Sequence, residues 1–301
     1  MHGAGRPKTR PTVNEFVDLD ALIAAGPRRL AVLGQPVAHS KSPALHGAAY
    51  DVLGLPWSYD AIELPADALA GFLATLDDEW RGLSLTMPHK QVVLPLLDSC
   101  EPLVALTGAA NSVLFDADGM RRGYNTDVAG IVASLREVGA GNLTSAAIVG
   151  SGATSASALA AVARLGAQRV TIVARNRERA LELKPLAEEL DVVLAIRGLD
   201  AAAGLESDHD AVVSTLPGGA ADALQFPIRL RRNAALLDAA YSDGDTVLAR
   251  HWREVDGVVA TGRHMLYHQA VEQVRIFVTG GVGVLPRETE VRAAMRVAVG
   301  V

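Results

Sequence analysis

A glycine-rich turn in the middle of the chain constrains the fold more than any other segment. An apolar run at residues 145–149 ends at Gly150, and an alanine-rich stretch follows to about residue 165. Gly150 permits a tight turn, Gly152 lets a phosphate approach the backbone, and Ser155 is small enough for a helix to pack against a strand. A second apolar run follows at residues 170–174. The pattern predicts a Rossmann-type unit that binds a dinucleotide at a helix N-terminus, although a turn that serves packing alone has the same spacing.

Length and composition favour a two-domain α/β protein that acts on a small polar ligand. With 301 residues, 50% of them hydrophobic, the chain can bury two ordinary cores. The net charge of -6 includes no basic block, which argues against nucleic acid as a partner. Cys100 is the only cysteine, so we expect no internal disulfide, and no apolar run is long enough to predict a membrane span. These features predict a cytoplasmic protein.

Short apolar runs alternate with amphipathic stretches on both sides of the turn, which is typical of βαβ units in a largely parallel sheet. Strands are predicted at residues 30–33, 58–63, 83–86, 145–149, 170–174, 192–196, 211–215, 235–237 and 258–260. Helices are predicted at residues 45–53, 66–76, 91–97, 269–279 and 288–299, and a hairpin at residues 110–115 with Gly119.

Four short polar segments interrupt the apolar pattern just after predicted strands, where open α/β sheets bind ligands. They are residues 39–43, 86–90, 108–112 and 125–127. Lys90 lies in the second, and only four of the 28 Lys and Arg residues are lysines. A lysine retained in so arginine-rich a chain suggests a need for its compact ammonium group. Singly, these segments also fit helix caps and turns, but together they favour a site for a polyhydroxylated substrate.

The same segments resemble the shikimate dehydrogenase family, from about residue 30 to residue 273. The motifs that carry the resemblance are Gly-Gln-Pro-Val-Ala-His-Ser-Lys-Ser-Pro at 34–43, Thr-Met-Pro-His-Lys at 86–90, Gly-Ala-Ala-Asn at 108–111, Gly-Tyr-Asn-Thr-Asp at 123–127, Asp-Ala-Ala-Tyr at 238–241 and Gly-Arg-His-Met-Leu-Tyr-His-Gln-Ala at 262–270. The resemblance implies reversible hydride transfer between C3 of shikimate and a nicotinamide, in the pathway to chorismate and the aromatic amino acids.

The resemblance also assigns roles to side chains. It implies that Lys90 and Asp127 are the catalytic pair, with the member that moves the proton left open. Ser40 and Ser42 are implied to hold the substrate carboxylate, and Tyr241 to line the same cleft. The residues implied to bind the ring hydroxyls are Thr86, Lys90, Asn111, Asp127 and Gln269.

The residues after the second strand of the dinucleotide unit favour NADP. No acid stands there, whereas Arg175 and Arg177 do, and arginine accommodates a 2′-phosphate where an acid would hold the ribose diol of NAD. Both neighbours of Arg175 depart from the family pattern, so the preference for NADP over NAD is expected to be looser than usual. The alternative is that the two arginines only mark an exposed strand end and bind no phosphate. The predicted cofactor contacts are Gly150, Ser151, Gly152, Ala153, Thr154, Ser155, Arg175, Arg177, Thr215, Gly262 and Met265.

We expect two α/β domains around a cleft, the first of them discontinuous. Residues 1–28 are predicted as an N-terminal tail, residues 29–126 plus 262–301 as the substrate-binding domain, and residues 127–261 as the NADP-binding Rossmann-type domain. A small-molecule substrate is the expected partner, with the chain as a monomer or homodimer. His264 and His268 stand four apart, but no third ligand is evident, so no metal is predicted.

Three other functions are compatible with these motifs. They are a quinate/shikimate dehydrogenase that uses NAD, an aminoshikimate-type dehydrogenase, and a nucleotide-sensing binding protein without catalysis. Quinate bears one ring hydroxyl more than shikimate, so discrimination between the two acids depends on the shape of the pocket. The presence of both Lys90 and Asp127 argues against the sensor.

Overall fold

Two six-stranded sheets form the core of this computed structural model, which describes residues 17–206, 208–241 and 244–301. The first sheet contains β1 (Arg28–Gly34), β2 (Trp57–Glu63), β3 (Trp80–Leu85), β4 (Ser99–Cys100), β5 (Ser112–Phe115) and β6 (Arg121–Tyr124). The second contains β7 (Ser145–Val149), β8 (Arg169–Val173), β9 (Val193–Arg197), β10 (Ala211–Ser214), β11 (Ala235–Asp238) and β12 (Val259–Thr261). The predicted strands are confirmed to within a few residues.

Helices connect the strands and cover the sheets. They are α1 (Leu19–Ala24), α2 (Ser42–Leu53), α3 (Leu69–Ala74), α4 (His89–Val92), α5 (Pro102–Thr107), α6 (Asp127–Glu137), α7 (Ala153–Arg164), α8 (Arg177–Leu181), α9 (Lys184–Glu189), α10 (Ile228–Asn233), α11 (Val247–Arg253), α12 (Gly262–Thr279) and α13 (Glu288–Val299). Short 3-10 turns lie at Ala66–Ala68, Leu94–Leu96 and Leu199–Gly204. None of these helices, within the described ranges, has the length and apolar character to cross a membrane.

The first sheet is mixed, with strand order β2-β1-β3-β5-β6-β4. β1 pairs in parallel with β2 and β3, whereas β5 runs antiparallel to both β3 and β6. The predicted hairpin is therefore confirmed as β5 and β6, with Gly119 in the left-handed region at φ +73°. Because β5 is reversed, the residue that precedes it, Asn111, lies at the carboxyl end of β3.

The second sheet is fully parallel, in the order β12-β11-β10-β7-β8-β9. Ala146 and Ile148 of β7 pack on one face of the sheet, and Ala147 and Val149 pack on the other, so both faces are covered. The strand order reverses at β7, whose neighbours β8 and β10 continue the chain in opposite directions. Ligands bind at such a switch point in Rossmann folds. The predicted α/β class with one Rossmann-type sheet is confirmed.

Two helices carry the chain between the sheets. Two residues separate the end of β6 from the start of α6, and α12 begins directly after β12. They cross closely at Gly130, where an added Cβ would lie 3.1 Å from Cβ of Gln269. Ile131 of α6 packs in the core of the second sheet, while Val271 of α12 packs in the core of the first. The crossing therefore brings Asp127 and Gln269 to the space between the two sheets.

The structure differs from the sequence prediction in several segments, among them the N-terminal tail, the helix after β3, α6, and α12, which begins at Gly262 and not at residue 269. Residues 1–16 of the predicted tail lie outside the described residues, but residues 19–24 form α1, whose Leu19 and Leu22 pack against the first core. The helix predicted at 91–97 is divided between α4 and a 3-10 turn, since Pro95 cannot continue a helical hydrogen-bond pattern. α6 was not predicted, because Gly130 and Ser134 interrupt the apolar face on which such a prediction depends.

Replacing Gly262 with Ala should lower the free energy of unfolding by about 1–3 kcal/mol. The new Cβ would lie 2.5 Å and 2.6 Å from the carbonyl oxygens of Ala239 and Ala240, which are backbone atoms that cannot turn aside. Gly47→Ala is the matched control, since Gly47 lies inside α2 and a Cβ there meets no described atom within 4 Å. The control should gain about 0.5–1 kcal/mol from the better helix former. Denaturant titration measures both, and similar effects of the two substitutions would contradict this account.

Candidate active site

The carboxyl end of the first sheet carries most of the predicted substrate and catalytic residues. Thr86 follows β3, and Lys90 lies just beyond on α4. The carbonyl of Asn111 accepts from the amide of Leu85 at 2.7 Å, so the end of β3 and the start of β5 are joined there. Asp127 is the first residue of α6. Four side chains from three segments of the sequence therefore meet at one end of the sheet.

Lys90 and Asp127 form an ion pair at the centre of this cluster. Nζ of Lys90 lies 2.6 Å from Oδ2 of Asp127, and the side chains are 13% and 1% exposed. Each charge depends on the other at this depth, because removing one partner leaves an uncompensated charge away from water. The pair places a proton donor beside an acceptor, which is the arrangement that general acid–base chemistry requires.

Asn111 organises the surroundings of Asp127. Its Nδ2 donates to Oδ1 of Asp127 and to Oγ1 of Thr126, both at 2.9 Å, and to Oε1 of Gln269 at 3.1 Å. An amide nitrogen has two hydrogens, so these three acceptors share them. Oδ1 of Asn111 accepts from the amide of Thr126 at 2.8 Å, which fixes the orientation of the carboxamide. The buried Asn111 therefore holds the carboxylate of Asp127 and links it to α12.

Two tight contacts position the segment that carries Thr86 and Lys90. A Cβ at Gly34 would lie 2.3 Å from Cγ2 of Thr86, so β1 has to present a glycine where the threonine packs. Nε2 of the buried His89 lies 2.9 Å from the carbonyl oxygen of Leu64, a bond that anchors α4. The side chain of Lys90 is thus extended from a fixed backbone.

The serine segment meets Tyr241, which comes from the second half of the chain. Ser42 opens α2 and is buried, and its amide donates to the hydroxyl of Ser40 at 3.2 Å. Burial raises the pKa of Tyr241, and the neighbouring Ser40 side chain and Lys41 backbone oppose that rise. Ser40, Ser42 and Tyr241 are therefore neighbours.

The glycine turn between β7 and α7 has the shape that a pyrophosphate needs. Gly150 has φ +123°, and a Cβ there would lie 2.3 Å from Oγ1 of Thr215. Around Gly152, by contrast, no described atom comes within 4 Å of the Cβ position, so the backbone is open to a phosphate. In the first turn of α7 the amide of Ser155 donates to the carbonyl of Gly152 at 2.9 Å, and the helix N-terminus as a whole attracts anions. Residues 150–155 therefore fit the pyrophosphate of a dinucleotide.

The hydroxyls of Ser155 and Thr215 are bound within the turn. Oγ of Ser155 lies 2.7 Å from Oγ1 of Thr215 and accepts from the amide of Gly152 at 3.1 Å. Oγ1 of Thr215 also donates to the carbonyl of Val149 at 3.0 Å. Both residues were predicted as cofactor contacts, and their side-chain bonds support a role in shaping the turn.

A group of exposed arginines follows β8. Arg175 lies two residues beyond the strand, and Arg177 begins α8. Asn176 caps this helix by accepting from the amide of Arg179 at 3.0 Å, and Arg179 is a third exposed arginine. The sequence prediction missed Arg179, although arginines at every second position were visible. Guanidinium groups bind phosphate oxygens through charge-assisted hydrogen bonds, so this group fits a 2′-phosphate.

Gly262 and Met265, also predicted as cofactor contacts, pack inside the protein at the start of α12. Gly262 lies against the carbonyl oxygens of Ala239 and Ala240. The Met265 side chain is buried in the core of the second sheet. Their own contacts thus support a packing role.

The two histidines of α12 have separate partners. Nδ1 of His264 accepts from the amide of Thr261 at 3.2 Å and so caps the helix. Nε2 of His268 lies 2.6 Å from Oε2 of Glu137 at the end of α6. Burial lowers the pKa of both histidines, and Glu137 opposes that shift. No three His, Cys, Asp or Glu residues in the described ranges gather as a metal site.

Gln273 supports the site and was not identified from the sequence. It lies one turn beyond Gln269 on α12, and its Nε2 donates to Oγ of Ser112 at 3.1 Å. Its Oε1 lies 3.3 Å from Nε2 of the buried His46. Gln273 therefore joins α12 to β5 and α2 behind Asn111. The four-residue spacing from Gln269, which places both amides on one helix face, was the signal available.

Comparison with known proteins places this chain in one family. Residues 32–113 match the family model described as the shikimate dehydrogenase substrate binding domain. The chain is 32% identical over 255 residues to a protein of Methanothermobacter thermautotrophicus named shikimate dehydrogenase (NADP(+)). That alignment covers 82% of this chain and 89% of the relative.

Solved structures match along nearly the whole length. The shikimate dehydrogenase of Mycobacterium tuberculosis has a TM-score of 0.80 and 35% identity, with 91% of this chain and 99% of that one covered. The shikimate 5-dehydrogenase of Thermus thermophilus, in complex with NADP(H) and shikimate, has a TM-score of 0.75 and 31% identity, with 90% and 99% covered. The identity and coverage of the relatives, on the two-sheet fold described above, show that the chain belongs to the shikimate dehydrogenase family.

Proposed function

We propose that the chain is an NADP-dependent shikimate dehydrogenase that interconverts shikimate and 3-dehydroshikimate on the route to chorismate and the aromatic amino acids. The observation that carries this proposal is the ion pair of Lys90 and Asp127, 2.6 Å apart, which touches the glycine turn through Thr154. An alcohol dehydrogenase needs a proton-transfer group next to its nicotinamide site. The relative named shikimate dehydrogenase (NADP(+)) and the neighbour with both ligands support this substrate and cofactor.

We assign substrate binding to the side chains around the ion pair. Ser40, Ser42 and Tyr241 are neighbours, and their hydroxyls would bind the carboxylate. The ring hydroxyls would meet a second group of side chains: Thr86, Lys90, Asn111, Asp127 and Gln269. This division is supported by chemistry, since neutral donors and acceptors suit hydroxyls.

Oxidation of shikimate removes a hydride from C3 and a proton from its hydroxyl, so that a C=O bond replaces the C–O–H group. Bound NADP+ supplies the nicotinamide carbon that accepts the hydride. The hydroxyl proton passes to the pair of Lys90 and Asp127, and the ammonium of Lys90 stabilises negative charge that develops on the oxygen. Asn111 holds the carboxylate of Asp127 in place while this charge moves.

We further propose that residues 29–126 with 262–301 and residues 127–261 move as two domains about α6 and α12. Closure of the cleft would exclude water from the hydride path. The hydrogen bond between Lys90 and Thr154 and the proximity of Tyr241 to Ser40 support this motion, because they connect the two halves across the cleft. We place the enzyme in the cytoplasm as a monomer or homodimer, and its single cysteine, Cys100, suits a reducing compartment.

The direct test measures reduced cofactor with shikimate and with quinate, each in the presence of NADP+ and of NAD+. We expect the highest kcat/KM for shikimate with NADP+. A higher value with quinate or with NAD+ would favour a quinate/shikimate dehydrogenase. An absence of turnover with either acid would overturn the proposal in favour of an amino-substituted substrate or a nucleotide sensor.

Replacing Arg175 with Asp should shift the NADP:NAD ratio of kcat/KM toward NAD by about tenfold to a hundredfold. The guanidinium is removed from the 2′-phosphate, and the new carboxylate both repels that phosphate and accepts from the ribose diol. Arg232→Asp changes another exposed arginine, on α10, and should leave the ratio unaltered. If Arg175→Asp also leaves it unaltered, the 2′-phosphate is recognised elsewhere.

A further inference from the structure

The Lys90 ammonium has a second protein partner besides Asp127. Nζ of Lys90 lies 3.4 Å from Oγ1 of Thr154, and Thr154 belongs to the first turn of α7. Lys90 comes from the first sheet, whereas α7 follows β7 of the second. This hydrogen bond therefore crosses from one half of the chain to the other, and its acceptor lies within the turn predicted to bind the dinucleotide.

The two acceptors together restrict an otherwise flexible group. Lysine carries its three N–H donors on a four-carbon stem, and Asp127 alone would fix only one of them. Its β-branch leaves threonine in a helix only two favoured χ1 rotamers, so its hydroxyl is a second acceptor with few alternative positions. With two donors directed to Asp127 and Thr154, the third has one direction left. A carbonyl oxygen at C3 placed there would take this proton in reduction, and in oxidation the reverse transfer would return the hydroxyl proton to the neutral amine. A displacement of about 1 Å in such a group can cost on the order of a hundredfold in rate.

We propose that Thr154 is a positioning residue that orients Nζ of Lys90 for proton transfer when the two halves of the chain come together. The inference rests on the proposed dehydrogenase function. Its hydroxyl accepts from Lys90 and keeps its own hydrogen to donate, so NADP+ binding has to be measured beside the rate to separate positioning from a contact with the pyrophosphate. Thr154 differs from Ser155, whose hydroxyl is bound to Thr215 and to the amide of Gly152. The turn that holds the cofactor thereby also sets the geometry of the proton-transfer group.

The test compares Thr154→Val, which keeps the branched shape and loses the hydroxyl, with Thr154→Ser, which keeps the hydroxyl. Thr154→Val should lower kcat for shikimate oxidation by about tenfold to a hundredfold. The KM for shikimate and the dissociation constant of NADP+, measured by titration, should change less than about twofold, since the backbone amide is retained. Thr154→Ser should recover most of the activity. Thr144→Val alters an exposed threonine just before β7 and serves as the control.

A double-mutant cycle separates positioning from a structural effect. If Thr154 acts through Lys90, Thr154→Val should have no further effect on the residual rate of a Lys90→Met enzyme. Full activity of Thr154→Val, a loss explained by weaker NADP+ binding, or an equal loss in the Lys90→Met background would each overturn the inference while leaving the dehydrogenase assignment intact. An unmodified protein that produces no NADPH from shikimate would refute the proposed function itself, and this inference with it.

Discussion

Replacing Lys90 with Ala should lower kcat for shikimate oxidation by about 10²–10⁴-fold, the range that general acid–base groups contribute. The KM for shikimate should change far less, because several other polar side chains lie around the substrate position. The reason for this split is that the ammonium acts most strongly on the charge that develops during hydride transfer. Steady-state kinetics with shikimate and NADP+ measures the effect.

The stability of this variant has to be measured beside its activity. Asp127 is 1% exposed, and truncation of Lys90 leaves its carboxylate without a counter-charge. Loss of one partner of a buried pair costs about 3–5 kcal/mol, so denaturant titration of Lys90→Ala belongs in the same experiment. Lys90→Met retains the apolar stem and removes only the ammonium. Lys184→Ala, at an exposed position on α9, should behave as the unmodified protein. Near-normal kcat in a folded Lys90→Met enzyme would remove Lys90 from the mechanism.

Local patterns were sufficient to predict the second sheet. The apolar runs, the glycine turn and the alanine-rich helix each act over a few neighbouring residues, and β7, α7 and β8 appear where that pattern put them. α6 was harder to predict, because its interior contains Gly130, a poor helix former. No neighbouring residue explains this glycine, since its role is to let α12 approach closely at Gln269.

The residue types of the candidate site were predictable, but its internal organisation was not. Motif resemblance selected Asn111 and Asp127, yet it gave no sign that Nδ2 of Asn111 joins three acceptors from two other segments. Gln273 was missed for a similar reason, since its partners lie on β5 and α2. Hydrogen bonds of this kind depend on how β5 and α12 are placed in space. The spacing of residues along the chain does not predict this placement. The start of β5 lies at the end of β3 only because the two strands are antiparallel.

The contacts of Asp127 lead to a second large expected effect. Its two oxygens accept from different donors, Oδ1 from Asn111 and Oδ2 from Lys90. In Asp127→Asn the new NH2 group must face one of these donors, so one hydrogen bond is lost whichever way the amide turns. The Lys90 ammonium also loses its counter-charge. We expect kcat to fall by about 10²–10⁴-fold, with a smaller change in the KM for shikimate.

The same substitution tests whether Lys90 and Asp127 act as one unit. If they do, Asp127→Asn combined with Lys90→Met should be little slower than either single variant, because groups that work together are not additive in their effects on rate. Asp118→Asn changes an exposed carboxylate in the loop between β5 and β6 and should leave kcat unaltered. Multiplied losses in the double variant would mean that the two side chains act in separate steps. In that case the 2.6 Å pair would serve mainly to hold α4 against α6, and proton transfer would need a different acceptor.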